Sequence, residues 1–223
     1  MSINSKQSVK CPRCGHLQEM TVWSSVTADD SPDLKQELLK RSINIFVCED
    51  CGQQALVPVP LLYHDRSAGL MISFTPCGDK VQKQKLFLQI KRASKESGEL
   101  KEYESCNLRF VTEYDELLEK ILIFDNGLHD KVLELIKVLI LAQEPESAEY
   151  RTALFGKRTD DKIEFLIKDS RDMSLFTSRV PISTYEALKE QLRLSGVKFI
   201  SFDWELIDID YGAALLRGIN NTL

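Results

Sequence analysis

Along the chain the hydrophobic positions change period several times, with short β-rich runs set between helical stripes. Met20-Thr21-Val22-Trp23 reads as a strand. Asp29-Asp30-Ser31-Pro32-Asp33-Leu34 ends it and opens a short helix. Ser31 suits the N-cap, Pro32 the first helical position, and Asp33 the positive end of the helix dipole. Leu34 and Leu38 share a face, Leu39 lies beside them, and Lys40-Arg41 suit the C-terminal end. Ile43–Val47 is β-rich. Ala55–Tyr63 is apolar and extended, and its Pro58 and Pro60 are tolerated only on an edge or outside a ladder. Leu70–Phe74 is a further strand, joined to the previous one by a His64–Gly69 turn as a hairpin. In the charged stretch Lys80–Lys101, the central Lys85–Ala93 fits helix and strand alike.

Thr112-Glu113-Tyr114-Asp115 resembles a capping box, and Leu117, Leu118, Ile121 and Leu122 follow with helical spacing until Asn126-Gly127. A second helix, about Asp130–Ala142, carries Val132, Leu133, Leu135, Ile136, Leu139 and Ile140 on a broad apolar face and stops before Pro145. Together they predict a helical hairpin covering the strands. Glu144–Glu149 is short, polar and proline-containing, as a linker is. Beyond it, Arg151–Phe155 and Ile163–Lys168 predict a β-hairpin, because Ile163, Phe165 and Ile167 alternate. Pro181–Glu186 opens a helix with Ser183 and Glu186 as capping box; Tyr185, Leu188 and Leu192 form its buried stripe and Gly196 its stop. A strand over Lys198–Phe202 and a helix near Tyr211–Arg217 close the chain. No repeat of fixed period is present.

Two hooks punctuate this pattern: Cys11-Pro12-Arg13-Cys14-Gly15 and Cys48-Glu49-Asp50-Cys51-Gly52. Each sets two thiols at C-x-x-C spacing and ends in a glycine free to adopt positive φ. Four thiolates form a tetrahedral site, and zinc is the metal this donor set most favours. A catalytic zinc keeps one position open, whereas four thiolates close the shell. The expectation is therefore one structural Zn²⁺ on Cys11, Cys14, Cys48 and Cys51, with no catalytic residue assigned.

Cys-Pro-Arg-Cys-Gly near the start, the helix carrying Pro32-Asp33-Leu34, Cys-Glu-Asp-Cys-Gly, and then Pro60-Leu61-Leu62-Tyr63-His64-Asp65 resemble the CpXC domain, a zinc-ribbon-like family of bacterial proteins. The resemblance covers about residues 8–142. The second hook departs from the first in carrying Glu49 where the first has proline. The resemblance implies zinc on the same four cysteines and no known reaction. The expected fold is α+β: a zinc-ribbon-like β domain with a helical insertion and a helical hairpin over residues 1–143, then a small α+β domain over 148–223.

Composition is that of a globular protein, 43% hydrophobic and 28% charged. A formal charge of −5 gives no general attraction to nucleic acid or anionic membranes. No apolar signal segment opens the sequence and no run approaches the ~18 residues of a membrane span. Paired C-x-x-C hooks fit a reducing compartment better than a disulfide framework, so a cytoplasm is the expected location.

Other residues offer weaker chemistry. Cys77 and Cys106 are expected to be idle thiols, the alternatives being Cys77 as a replacement metal ligand or the two as a redox pair; His16 is expected at the surface, the alternative being a bond to a thiolate. His64 with Asp65 is the one candidate acid–base pair, for a hydrolase-like enzyme, set against a turn in which Asp65 caps the backbone. Asp125, His129, Asp130 and Glu134 offer a second metal group, set against aspartates that answer a helix dipole. Lys80, Lys83, Lys85, Lys91, Arg92 and Lys95 are the basic concentration, a phosphate-contacting face or a solvated one, with Phe87 alone available for stacking. The leading reading is a zinc-binding module that binds or scaffolds an unknown protein partner, more a binder than an enzyme. Nucleic-acid binding through 80–95 and hydrolysis through His64/Asp65 are the alternatives.

Overall fold

In the computed structural model, which describes residues 1–97, 106–201 and 203–220, the Met20–Trp23 run is the middle of a long strand, β2 (Leu17–Thr27). The chain is mixed α+β and forms two compact units, Met1–Leu118 with Phe202–Glu205, and Glu119–Ser201 with Leu206–Leu223. No helix among the described residues is long and apolar enough to cross a membrane.

In the first unit β1 (Ile3–Lys10) and β2 form an antiparallel hairpin whose turn is the first hook. β3 (Ile45–Val47) and β4 (Gln54–Leu56) form a second hairpin whose turn is the second hook. Between them lies α1 (Pro32–Leu39). Ser31 occupies its N-cap position and Pro32 its start, although no side-chain cap bond forms. The Ala55–Tyr63 stretch divides at its prolines: β4 ends before Pro58, and β5 (Leu61–Asp65) begins after Pro60. β5 pairs antiparallel with β6 (Leu70–Phe74), as the turn residues predict. The main sheet runs β1-β2-β5-β6-β7, with β2/β5 and β6/β7 (Asn107–Val111) parallel. A parallel neighbour needs a crossover, and α2 (Lys80–Ser97) belongs to the one between β6 and β7. The undecided Lys85–Ala93 stretch is thus helical; 98–101 lie outside the described residues. Phe87 and Ile90 of α2 pack on Met71, Cys106, Leu108 and Trp204.

The division between the units falls within α3 (Tyr114–Asp125). Its start is capped by Glu116, not Asp115: the Glu116 carboxylate accepts from the amides of Thr112 (3.2 Å) and Glu113 (3.4 Å).

In the second unit β8 (Arg151–Arg158), β9 (Lys162–Asp169) and β10 (Leu175–Pro181) form an antiparallel sheet with β9 in the middle. Ile163, Phe165 and Ile167 alternate inward, and share a core with Val132, Leu133, Leu135 and Ile136 of α4 (Asp130–Leu141) and with Tyr185 and Leu192 of α5 (Ile182–Leu194). α5 starts one residue before Ser183, so the expected Ser183/Glu186 box does not form; Pro181 is the N-cap and no side chain caps it. Gly196, at φ 81°, ends the helix as expected. α6 (Ile209–Asn220) lies so close to α4 that a Cβ on Gly212 would sit 2.5 Å from the Glu134 carbonyl oxygen. The expected strand over Lys198–Phe202 is not formed at 198–201; Phe202 lies outside the described residues. Side chains take carbonyls a ladder would use: Lys131 Nζ donates to Lys198 O (2.6 Å), and His129 Nε2 lies 2.8 Å from Phe199 O.

Candidate metal centre

The two hooks are built alike. In the first, Cys11 N–H donates to His16 O (2.8 Å) and Gly15 N–H to Cys11 O (3.0 Å). In the second, Cys48 N–H donates to Gln53 O and Gly52 N–H to Cys48 O, both at 2.9 Å. Gly15 and Gly52 hold φ values of 79° and 69°, a left-handed conformation that side chains resist. Within each hook the two sulfurs lie within 4.8 Å of each other.

Cys11 Sγ lies 3.6 Å from Cys51 Sγ, and Cys14 Sγ 3.6 Å from Cys48 Sγ, so the close pairs cross from hook to hook. All four sulfurs fall within 4.8 Å of one another, and among the described residues no other such group of His, Cys, Asp or Glu donors forms. Four thiolates at about 2.3 Å from one zinc stand about 3.8 Å apart, so these spacings could hold a metal ion. Cys11 and Cys48 are buried with Phe46, against Val9, Met20, Cys51 and Val57, while Cys14 is exposed.

The thiols of the cluster perturb one another in opposite directions. Burial pushes the Cys11 thiol up, but the amides of Cys14 and Arg13 outweigh it and bring it down to about 6. Arg13 N–H lies 3.4 Å from Cys11 Sγ. Cys14 goes the other way: the His16 amide lowers it, yet desolvation and the three neighbouring sulfurs drive it up to about 12. Cys51 likewise rises, against the pull of the Gln53 amide, through desolvation and the sulfurs of Cys11 and Cys48. One thiolate suppresses the next, and a bound cation would remove that conflict.

The model of the CpXC protein family matches residues 9–137, more than half of the chain. The chain belongs to the CpXC family. Comparison with curated proteins and with solved structures gave no match.

In this CpXC chain the remaining candidates fall elsewhere. His16 is exposed on the first hook. Cys77 follows the C-terminal end of β6 and Cys106 precedes the N-terminal end of the parallel β7, so the two thiols lie at opposite ends of that strand pair. Cys106 Sγ is 3.8 Å from His64 Nε2, a neighbour that sequence spacing did not offer.

His64 and Asp65 are not brought together, because successive residues of β5 point to opposite faces. Asp65 is buried and accepts from Lys35 Nζ (2.8 Å), Tyr63 OH (3.0 Å), Ser67 Oγ (2.8 Å) and the Ala68 amide (2.9 Å). Burial raises its carboxyl, but these donors, Lys35 first, bring it down to about 2. A carboxylate with a depressed folded pKa stabilises above its ordinary value and loses that contribution as pH falls. Asp65→Asn is accordingly expected to lose about 2 kcal/mol at pH 7. In urea titrations the gap to the parent chain should close as pH falls from 4 toward 2, and a pH-independent gap would refute the assignment.

Asp130 and Glu134 are taken by Lys120, at 3.4 and 2.9 Å, which leaves no second metal group with Asp125 and His129 among the described residues. On α2, Lys83 pairs with Glu116 (3.5 Å) and Lys91 with Asp203 (2.8 Å), while Lys85, Arg92 and Lys95 are exposed. A residue that sequence reasoning passed over is Gln18 on β2. Its side-chain amide donates to Val47 O (3.0 Å) and accepts from Glu49 N–H (2.9 Å), on either side of Cys48.

Proposed function

We propose that Cys11, Cys14, Cys48 and Cys51 hold one structural zinc ion, and that this CpXC chain is a binding or scaffolding module for a protein partner in a reducing, cytoplasmic setting. The observation that carries the reading is the gathering of four sulfurs from two like-built hooks at spacings a single ion can bridge. The two-hairpin arrangement around them is what a zinc-ribbon-like module needs. Zinc on four thiolates keeps no open position, so it would supply rigidity and not Lewis acidity. The protein's own residues do the rest: the hook amides stabilise thiolate, and Phe46 with its apolar neighbours shields two of the four sulfurs. No catalytic residue is proposed.

Elemental analysis of the chain purified without chelators should give one zinc per chain. Iron at that stoichiometry would replace zinc in the reading, and no metal even after zinc is supplied would overturn it.

A second reading, nucleic-acid binding through α2, draws on the exposure of Lys85, Arg92 and Lys95. It is the weaker one because Lys83 and Lys91 are committed to carboxylates. A mobility shift without salt-dependent retention of DNA or RNA would end it.

A further inference from the structure

Among the described residues the two hairpins that carry the hooks share no backbone ladder: β2 belongs to the main sheet, whereas β3 pairs with β4 alone. Something else must set the second hook against the first, to within the few tenths of an ångström that a metal site requires. Two side-chain amides span the gap. Asn44, just before β3, accepts from Trp23 N–H (2.7 Å) and donates to Trp23 O (2.8 Å). Gln18 reaches in the opposite direction, from β2 to Val47 O and Glu49 N–H. Each amide binds one donor and one acceptor, as a neighbouring strand would. Gln18 is the one next to the sulfurs, since the groups it holds flank Cys48 directly and Gln18 itself lies three residues past Gly15.

We infer that Gln18 is a positioning residue of the metal centre: by fixing the backbone on both sides of Cys48, it places the second pair of sulfurs relative to the first before any ion arrives. This rests on the metal reading above. Gln18 touches no sulfur in the contacts described, so its effect passes through the backbone of Cys48. Outer partners of this kind change metal affinity by about 10–100-fold when removed.

The test uses the full chain, stripped with a chelator and then titrated with Co²⁺ and, in competition with a chromophoric chelator, with Zn²⁺. Gln18→Met keeps the length and bulk of the side chain and loses both hydrogen bonds; Gln18→Ala loses all three. Both are expected to weaken zinc binding by about tenfold or more and to alter the ligand-field bands of the Co²⁺ form. The circular dichroism of the metal-free chain should stay unchanged. Glu49→Ala should match the parent chain, because only the main-chain amide of Glu49 takes part. A parent chain that binds neither ion would sink the metal reading itself. A parent chain that binds, with a Gln18→Met variant of equal affinity and identical bands, would overturn the positioning role alone. A metal-free Gln18→Met chain with altered circular dichroism would also overturn it, by making Gln18 a residue of the fold.

Discussion

Cys48→Ser is expected to reduce the zinc content of the chain from one ion to background and to remove the stabilisation that added zinc confers. Cys48 is buried at the end of β3, its sulfur 3.6 Å from that of Cys14, and a serine hydroxyl there is a poor substitute for a thiolate. An ion that binds only the folded chain adds about 4 kcal/mol when its free concentration is a thousandfold above Kd, and this is the amount at stake. The loss should be local. Tyr63, Ile72, Phe74 and Phe110 are buried in the main sheet and lie on β5, β6 and β7, not on the strands that the hooks join. Far-UV circular dichroism should therefore change little, while protease sensitivity rises around 11–16 and 48–53. Cys77→Ser, outside the sulfur cluster, should keep both its zinc and its melting temperature. Unchanged zinc content and melting in Cys48→Ser would defeat the assignment.

The sulfur cluster was legible because its signal is local twice over: two cysteines and a glycine fix the geometry of each hook before any long-range contact forms. The same is true of Leu70–Phe74, bounded by a turn on one side and Pro76 on the other. Where a long-range partner decides, the sequence says less. Leu86, Phe87, Leu88 and Ile90 satisfy helical and strand periods alike, and the helix is settled by packing on Met71 and on Trp204, more than a hundred residues later. β7 is hidden by Asn107 and Arg109, which do not read as core. Arg109 is fully buried because Glu205 lies 2.9 Å from it. The breadth of the apolar face of α4 says that the helix is buried without saying that β8 and β9 are what it meets. Gln18 left one faint trace, a polar residue on the inward side of β2 in line with Met20 and Val22.

Lys137→Met is expected to destabilise the second unit by about 3–5 kcal/mol at neutral pH. Glu119, Lys120, Asp130, Glu134 and Lys137 are all buried, three carboxylates and two ammonium groups linked in an unbroken series. Lys137 Nζ lies 2.7 Å from Glu119 and 3.0 Å from Glu134, and Lys120 Nζ joins Glu134 to Asp130. Glu119 also accepts the amide of Phe155, which ties the network to β8. Taking out Lys137 leaves the buried Glu119 carboxylate without the ammonium group bonded to it and leaves Glu134 with Lys120, and the methionine that replaces it fills the space without answering that charge. Burial already holds the Glu119 carboxyl above its ordinary range, with Lys137 the main opposing influence. Without Lys137 it should rise further. A carboxyl raised in the folded state stabilises at low pH and loses that contribution as pH rises through its folded value, so acidification should narrow the gap between variant and parent. Hydrogen exchange over 119–141 and 151–169, compared at about pH 7 and about pH 5, reads this directly. A gap that stays constant or widens on acidification would mean that the loss is one of packing and that the charge network contributes nothing.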